Sequence, residues 1–225
     1  QVDYGQQLSA IPSNIDRSHR QEVQRKIDLA PLPMADFAVR QELAHVQAAL
    51  HADNFPEAKK VLLGIAGREG GNTLEVLQLL YYVYSELGDY GESAEWFQQM
   101  LGKAFTLTDK VPLSFLFVTD RFNAFNPKYA TEFERIWLPQ LAKYLNKHTR
   151  KCMAITGYAS SIGKAEYNQM LSEQRADYIQ ARLAKISPSL STRTRTEGMG
   201  ERKPHTEEVA NEDDPMDRRV ECALM

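Results

Sequence analysis

The stretch "ITGYASSIGKAEYNQMLSEQRA", residues 155–176, decides the fold of the second half of the chain. An apolar, partly β-branched run ends at Gly157, small and polar residues follow, and helical periodicity begins near Ala165. The pattern predicts a strand, a turn and a helix. Ser160 lies on the predicted turn, where an acid could have stood, and Arg175 lies on the predicted helix.

The surrounding sequence predicts an α+β layer in the order β-α-β-α-β-β, with helices packed on a mixed sheet. Pro127 suits the first turn of the earlier helix, and Pro139 inside that helix should kink it or remove one hydrogen bond. Arg193 and Arg195 alternate with threonines, which is typical of a solvated edge strand. The predicted strands are 113–119, 151–158, 192–200 and 217–225, and the predicted helices are 126–147 and 164–186.

The first half of the chain carries an internal repeat. "HADNFPEAKKVLLGI" aligns with "ELGDYGESAEWFQQM" at an offset of 35 residues, with Ala58 over Ser93 and Leu62 over Phe97. This spacing predicts two helical hairpins, and the second copy resembles the tetratricopeptide (TPR) repeat. The hairpins pair 38–52 with 55–66 and 73–87 with 90–103.

Two such repeats are fewer than an independent solenoid needs, so we expect support from the second domain, a partner or a second copy. Tyr81 and Tyr84 either pack in the core, which we favour, or line a groove for a protein partner. "GIAGREGGNT", residues 64–73, lacks the strand and the Lys-Ser/Thr ending of a phosphate-binding loop and is predicted to connect the hairpins.

Composition excludes several classes of function. The net charge of -3 gives no general attraction to nucleic acid, and no apolar run approaches the roughly 20 residues of a membrane span. The histidines show no metal spacing, so neither a metal nor another cofactor is expected, and "GYASS" lacks the Gly-x-Ser-x-Gly spacing of a nucleophile elbow. Cys152 and Cys222 are either two buried thiols or a disulfide between neighbouring strands. We expect no enzyme.

Several short motifs carry a resemblance to a known family. They are Gly157-Tyr158, Gly163, Tyr167-Asn168, Leu171-Ser172-Glu173, Arg175-Ala176, "GMGERKP" at 198–204 and "DRRVE" at 217–221. With this spacing, residues from about 113 to the end resemble the OmpA-like C-terminal domain, the peptidoglycan-associating module of OmpA, MotB and Pal-type proteins.

The resemblance implies a non-catalytic domain that holds the diaminopimelate of a peptidoglycan stem peptide. Arg175 matches the family arginine that binds the ligand carboxylate, whereas Ser160 stands where the family has an aspartate for the ammonium. Ala159 replaces the usual threonine, and Asn168 and Leu171 complete the implied site. Glu166 and Asp120 are possible substitutes for the missing acid. Alternatively, Arg175 is a surface arginine paired with Asp177 or a neighbour of Glu173.

These observations predict an N-terminal leader helix and proline-containing linker over 1–37, a TPR-like domain over 38–106 and an OmpA-like domain over 107–225. The expected protein is an envelope scaffold or anchor in the periplasm, associated with the outer membrane, with peptidoglycan and an envelope protein as partners. The alternative function is that of a protein-interaction module, in which the OmpA-like domain has lost peptidoglycan binding and serves an envelope secretion, motility or adhesion assembly. The chain opens on Gln1, which is compatible with a removed targeting segment.

Overall fold

The computed structural model describes residues 37–107, 113–127, 129–202 and 215–224. The chain divides into two compact units, Gln1–Leu107 and Thr108–Met225, which we treat one at a time. The leader helix and linker predicted over 1–37 lie outside the described residues except at Phe37, where the first helix begins.

The described part of the first unit is helical, as predicted. Each helix packs against the next one along the chain, so that two hairpins are joined by the connection after Ala66. A Cβ atom at Gly71 would lie 1.8 Å from the Ile65 carbonyl oxygen, so this connection requires a glycine where it passes the end of the preceding helix. The helices are α1 Phe37–His51, α2 Phe55–Ala66, α3 Leu74–Glu86 and α4 Tyr90–Leu107.

The two hairpin turns repeat each other bond by bond at the 35-residue offset. Asn54 N–H donates to the Ala49 carbonyl at 2.8 Å, and Asp89 N–H donates to the Tyr84 carbonyl at 3.0 Å. The side chain of Asn54 then accepts from Glu57 N–H, and that of Asp89 accepts from Glu92 N–H, each at 3.3 Å. Both side chains cap the helix that follows. The sequence repeat is therefore also a structural repeat.

The small residues of the repeat allow close helix packing. Ala58 and Ser93 are fully buried, and the Ser93 hydroxyl donates to the Tyr81 carbonyl at 2.9 Å on the neighbouring helix. Leu62 and Phe97, one turn later, are also fully buried. This pattern agrees with the equivalences read from the sequence.

The second unit contains a mixed four-stranded sheet in the order β1-β4-β2-β3. The edge strand β3 pairs in parallel with β2, while β4 runs antiparallel to both β1 and β2. The elements along the chain are β1 Leu113–Leu116, α5 Ala130–Glu132, a π-helical segment Phe133–Trp137, α6 Leu138–Lys147, β2 Met153–Gly157, α7 Ala165–Ile186, a 3-10 turn Pro188–Thr192, β3 Thr194–Gly198, a 3-10 turn Pro215–Asp217 and β4 Arg219–Leu224.

The helix predicted over 126–147 differs from its expectation at two points. It begins at Ala130, so Pro127 lies in the preceding turn and not in the first helical turn. The π-helical segment Phe133–Trp137 directly precedes α6, and Pro139 is the second residue of α6. Proline lacks an N–H and crowds the carbonyl four residues earlier, which accounts for the widened turn at this place.

An aromatic cluster fills the core beside β1. Phe115 lies with its ring centroid 5.1 Å from Phe133 and 5.4 Å from Trp137, and Phe125 lies 5.6 Å from Tyr178 of α7. These edge-to-face contacts join β1, the helix after it and α7. The cluster fixes the position of α7, on which the candidate site depends.

Both cysteines carry free thiols, so the disulfide alternative is wrong. Cys222 is buried in β4 and Cys152 is half-buried just before β2. Burial raises the pKa of the Cys222 thiol, which keeps it protonated and unreactive.

Candidate functional site

The candidate site is the turn that follows β2, residues 158–164, which we call the β2 turn. The strand ends at Gly157, where a Cβ atom would lie 1.9 Å from the Ser172 carbonyl oxygen of α7. Only glycine allows this close approach of the helix to the strand. The β2 turn is also tied to its two neighbours, because Tyr158 N–H donates to the Arg219 carbonyl and Ala159 N–H to the Gly200 carbonyl, both at 2.8 Å.

Arg175 lies beneath the β2 turn and is 0% exposed. Its guanidinium donates from Nε to the Arg121 carbonyl at 3.0 Å, from one terminal nitrogen to the Tyr158 carbonyl at 3.0 Å, and from the other to the Val118 carbonyl at 3.2 Å. The Phe117 ring lies 5.5 Å from the guanidinium carbon. The alternative of a surface arginine is therefore wrong.

The contacts of Arg175 join segments that are distant in sequence. Val118 and Arg121 belong to the loop after β1, Tyr158 opens the β2 turn, and Arg175 itself lies on α7. A ligand in solvent cannot touch a side chain with no exposed surface. In this conformation Arg175 joins these segments and makes no direct contact with solvent.

The other predicted site residues lie on the β2 turn or on the first turns of α7. Ser160 is 9% exposed and Ala159 is 5% exposed, both directly after the carbonyl that accepts from Arg175. Asn168 is buried, and its Nδ2 donates to the Ile162 carbonyl at 3.2 Å. Leu171 is buried on the same helix. The structure thus brings Ser160, Asn168 and Arg175 together around one turn, and their binding role stays a prediction.

Of the two acids considered as substitutes, each lies near the β2 turn but on a different element. Asp120 stands between the two residues of the β1 loop whose carbonyls accept from Arg175, and its φ of 51° is in the left-handed region. Glu166 is exposed in the first turn of α7. No side-chain contact to a residue of the β2 turn is described for either carboxylate.

A third acid near the β2 turn, Glu201, was not predicted from the sequence. Its Oε2 accepts from Asn168 Nδ2 at 3.2 Å, and Asn168 holds the β2 turn through the same nitrogen. The pairing of β2 with β3 could have indicated it. These neighbouring strands are parallel, so the turns after them meet at the same edge of the sheet.

A charged cluster borders the site at the start of β4. Arg219 is buried, donates from Nε to Glu221 Oε1 at 2.6 Å, and lies with its guanidinium carbon 4.1 Å from the centre of the Tyr158 ring. Burial, together with the nearby Glu221 carboxylate, raises the pKa of the Tyr158 hydroxyl. The tyrosine therefore remains neutral, and the cluster serves to fix the start of the β2 turn.

Arg193 has a different role from the one predicted. One terminal nitrogen lies within hydrogen-bonding distance of the carbonyls of Leu145 at 2.8 Å, His148 at 2.9 Å and Lys151 at 2.6 Å. It satisfies carbonyls at the end of α6, so it is not a solvated edge residue. Arg195 is exposed on the edge strand β3, as expected.

The two tyrosines predicted as partner-binding residues are packed inside the helical unit. Tyr81 is 2% exposed, and its ring centroid lies 5.1 Å from that of Phe97. Tyr84 stacks on Trp96 at 6.5 Å, with Lys59 Nζ 4.8 Å from its ring centre. These contacts support the core role, and a direct contact with a partner stays a prediction.

The described ranges offer no group of three or more histidine, cysteine, aspartate or glutamate side chains that could hold a metal ion. Within the same ranges, no helix combines the length and the apolar composition needed to cross a membrane.

Residues 120–218 match the model of the OmpA family. The chain contains an OmpA-like domain. The matched stretch includes α5 to β3 and therefore the whole β2 turn, Asn168 and Arg175. The helical unit lies outside this match, and its TPR nature remains a prediction.

Several solved structures resemble about half of the chain. The peptidoglycan-associated lipoprotein of Burkholderia pseudomallei is 21% identical, covering 50% of this chain and 89% of that one, with a TM-score of 0.43. The OmpA-like domain of FopA1 from Francisella tularensis is 22% identical, covering 53% and 84%, with a TM-score of 0.42. The C-terminal domain of Helicobacter pylori MotB is 17% identical, covering 50% and 84%, with a TM-score of 0.42.

Proposed function

We propose that this protein is a non-catalytic scaffold or anchor of the cell envelope, whose OmpA-like domain contacts the stem peptide of peptidoglycan. The single observation that carries this proposal is the β2 turn, where Ser160, Asn168 and Arg175 gather within an OmpA-like domain. A periplasmic location at or near the outer membrane follows from the function proposed.

The expected binding is weak, for two physical reasons. Ser160 itself carries only a neutral hydroxyl, whereas an aspartate at this position would give the ligand ammonium a charge-assisted hydrogen bond, a difference of roughly 1.5–3 kcal/mol or about ten- to a hundredfold in affinity. Arg175 already donates to backbone carbonyls, so a ligand carboxylate must compete with them.

We also propose that the helical unit is TPR-like and docks an envelope protein. The repeated turns at Asn54 and Asp89, with the buried small residues Ala58 and Ser93, support this assignment.

A sedimentation assay with purified diaminopimelate-type sacculi tests the wall-binding proposal. We expect a fraction of the full chain to sediment with sacculi at low salt, and a larger fraction of the variant S160D, since the added carboxylate restores an acid beside the turn. If the unaltered protein stays entirely in the supernatant at low salt, the proposal is wrong.

One observation favours a second function, that of a protein-interaction module without a wall ligand. Arg175 is 0% exposed and has a positioning role in this conformation. Under this alternative, S160D gains no affinity for sacculi, while cross-linking in cell envelopes still captures a protein partner.

A further inference from the structure

We propose that Glu201 supplies the carboxylate that binds the ligand ammonium in this domain, in place of the acid absent at Ser160. This inference rests on the proposed wall-binding function and assigns a specificity-determining residue within the same site. It concerns a ligand that carries a primary ammonium group, as the diamino acid of a stem peptide does.

The backbone next to Glu201 is fixed against the β2 turn. The Gly200 carbonyl accepts from Ala159 N–H at 2.8 Å, and Gly200 N–H donates to the Ser172 hydroxyl at 2.9 Å. A φ of 59° at Gly200 directs the chain around this corner, in a conformation that favours glycine. Glu201 therefore begins its side chain one residue from a hydrogen bond to Ala159, the neighbour of Ser160.

The side chain of Glu201 is held on the same turn. Asn168 is 3% exposed, and its Nδ2 lies 3.2 Å both from the Ile162 carbonyl oxygen and from Glu201 Oε2. One amide nitrogen thus connects the carboxylate of Glu201 to the backbone of the β2 turn. Glu201 itself is exposed, so a ligand can reach this carboxylate without any movement of the protein.

The adjacent cation does not neutralise this acid. Arg202 donates from Nε to the Met199 carbonyl at 3.1 Å and from a terminal nitrogen to Gln169 Oε1 at 3.3 Å, and both acceptors are neutral. An exposed, negatively charged group held by Asn168 at the β2 turn has the chemistry needed for an ammonium. It also explains how a wall-binding site could retain charge recognition after losing the acid of the turn itself.

The test combines a change in the protein with a change in the ligand. In E201Q, glutamine keeps an oxygen for Asn168 Nδ2 and removes the negative charge. The matched control is D177N, which removes one exposed acid from α7. Binding of each full-length variant is measured against diaminopimelate-type sacculi, either native or with their free amines acetylated.

We expect the unaltered protein and D177N to bind native sacculi about tenfold or more tightly than acetylated sacculi, because acetylation removes the ammonium. E201Q should bind both preparations equally, at the level of the acetylated sacculi. Melting temperatures of the variants, measured by circular dichroism, should agree, since the Asn168 contact is retained.

The other results separate the two proposals. If the unaltered protein binds both preparations equally, or if E201Q still prefers native sacculi as strongly as the unaltered protein, the role of Glu201 is wrong and wall binding stands. If the unaltered protein binds neither preparation, wall binding itself fails and the assignment of Glu201 fails with it.

Discussion

The two units of this chain differ in the sequence separation of the internal contacts that stabilise each of them. In the helical unit, each hairpin turn is closed by hydrogen bonds between residues three to five positions apart, and the same bonds recur 35 residues later. In the OmpA-like domain, Arg175 reaches carbonyls 54 and 57 residues away. Loss of one local hydrogen bond affects a single turn, whereas loss of the Arg175 side chain removes contacts to several segments of the domain at once. Single substitutions should therefore cost more in the second unit than in the first.

The largest effect is expected from R175M. Methionine has a similar length but donates nothing, so the carbonyls of Val118, Arg121 and Tyr158 lose their buried donor. We expect the free energy of unfolding of the second unit to fall by roughly 3–5 kcal/mol. Urea denaturation of the full chain, with hydrogen exchange to assign the transition to each unit, measures the change.

The control for R175M is R195M, which removes an exposed arginine from the edge strand β3 and should change stability by less than about 0.5 kcal/mol. If R175M costs less than about 1 kcal/mol, the three carbonyls are satisfied in another way, and the contrast between the units loses its main support.

The next largest effect is expected from G157A, because a Cβ atom would meet the Ser172 carbonyl oxygen at 1.9 Å, and a backbone atom cannot give way as a side chain can. We expect a loss of about 3 kcal/mol from the forced separation of β2 and α7. The matched variant is G102A in α4, where nothing lies within 4 Å of the new Cβ and where alanine should stabilise the helix by up to about 1 kcal/mol. Equal losses in the two variants, measured by urea denaturation, would contradict the proposed difference between the units.

The difference in range also explains what the sequence could predict. The helix bounds of the first unit lie within a few residues of their predicted positions, because caps such as Asn54 and small residues such as Ala58 act on neighbours in the chain. The mixed sheet with helices was predicted as well, since each strand and helix has its own periodicity. The family motif drew attention to Arg175, whose side chain lies on α7 and donates to the first carbonyl of the β2 turn, while its binding role stays a prediction.

The contacts of Arg175, Arg193 and Glu201 could not be predicted in the same way. Their partners are backbone atoms or an amide brought close only by the fold, and a carbonyl has no signature in the sequence. A buried arginine and a solvated one therefore look the same in sequence. The parallel pairing of β2 and β3 would have been needed to place Glu201 beside Asn168.

A smaller effect is expected from R193M, because Arg193 is less buried than Arg175 and contacts fewer segments. Arg193 binds carbonyls from one short region at the end of α6, and it is only half-buried, so water can replace part of the lost hydrogen bonding. We expect a loss of about 1–2 kcal/mol, smaller than that of R175M, by the same urea denaturation assay. A loss as large as that of R175M would mean that burial and range do not decide the cost.

The smallest effects are expected from N54A and D89A, which remove equivalent caps from the two hairpins. Each side chain accepts one backbone N–H at 3.3 Å at the start of its helix, in an exposed turn. Loss of such a cap costs about 1 kcal/mol, and water can reach the freed N–H. Because the two turns share their hydrogen bonds, the two losses should agree within about 0.5 kcal/mol, and the double variant should show their sum. Hydrogen exchange should rise locally at Glu57 in one variant and at Glu92 in the other. A double variant that loses far more than the sum would indicate that the two turns are coupled, and the helical unit would then depend on long-range contacts as the OmpA-like domain does.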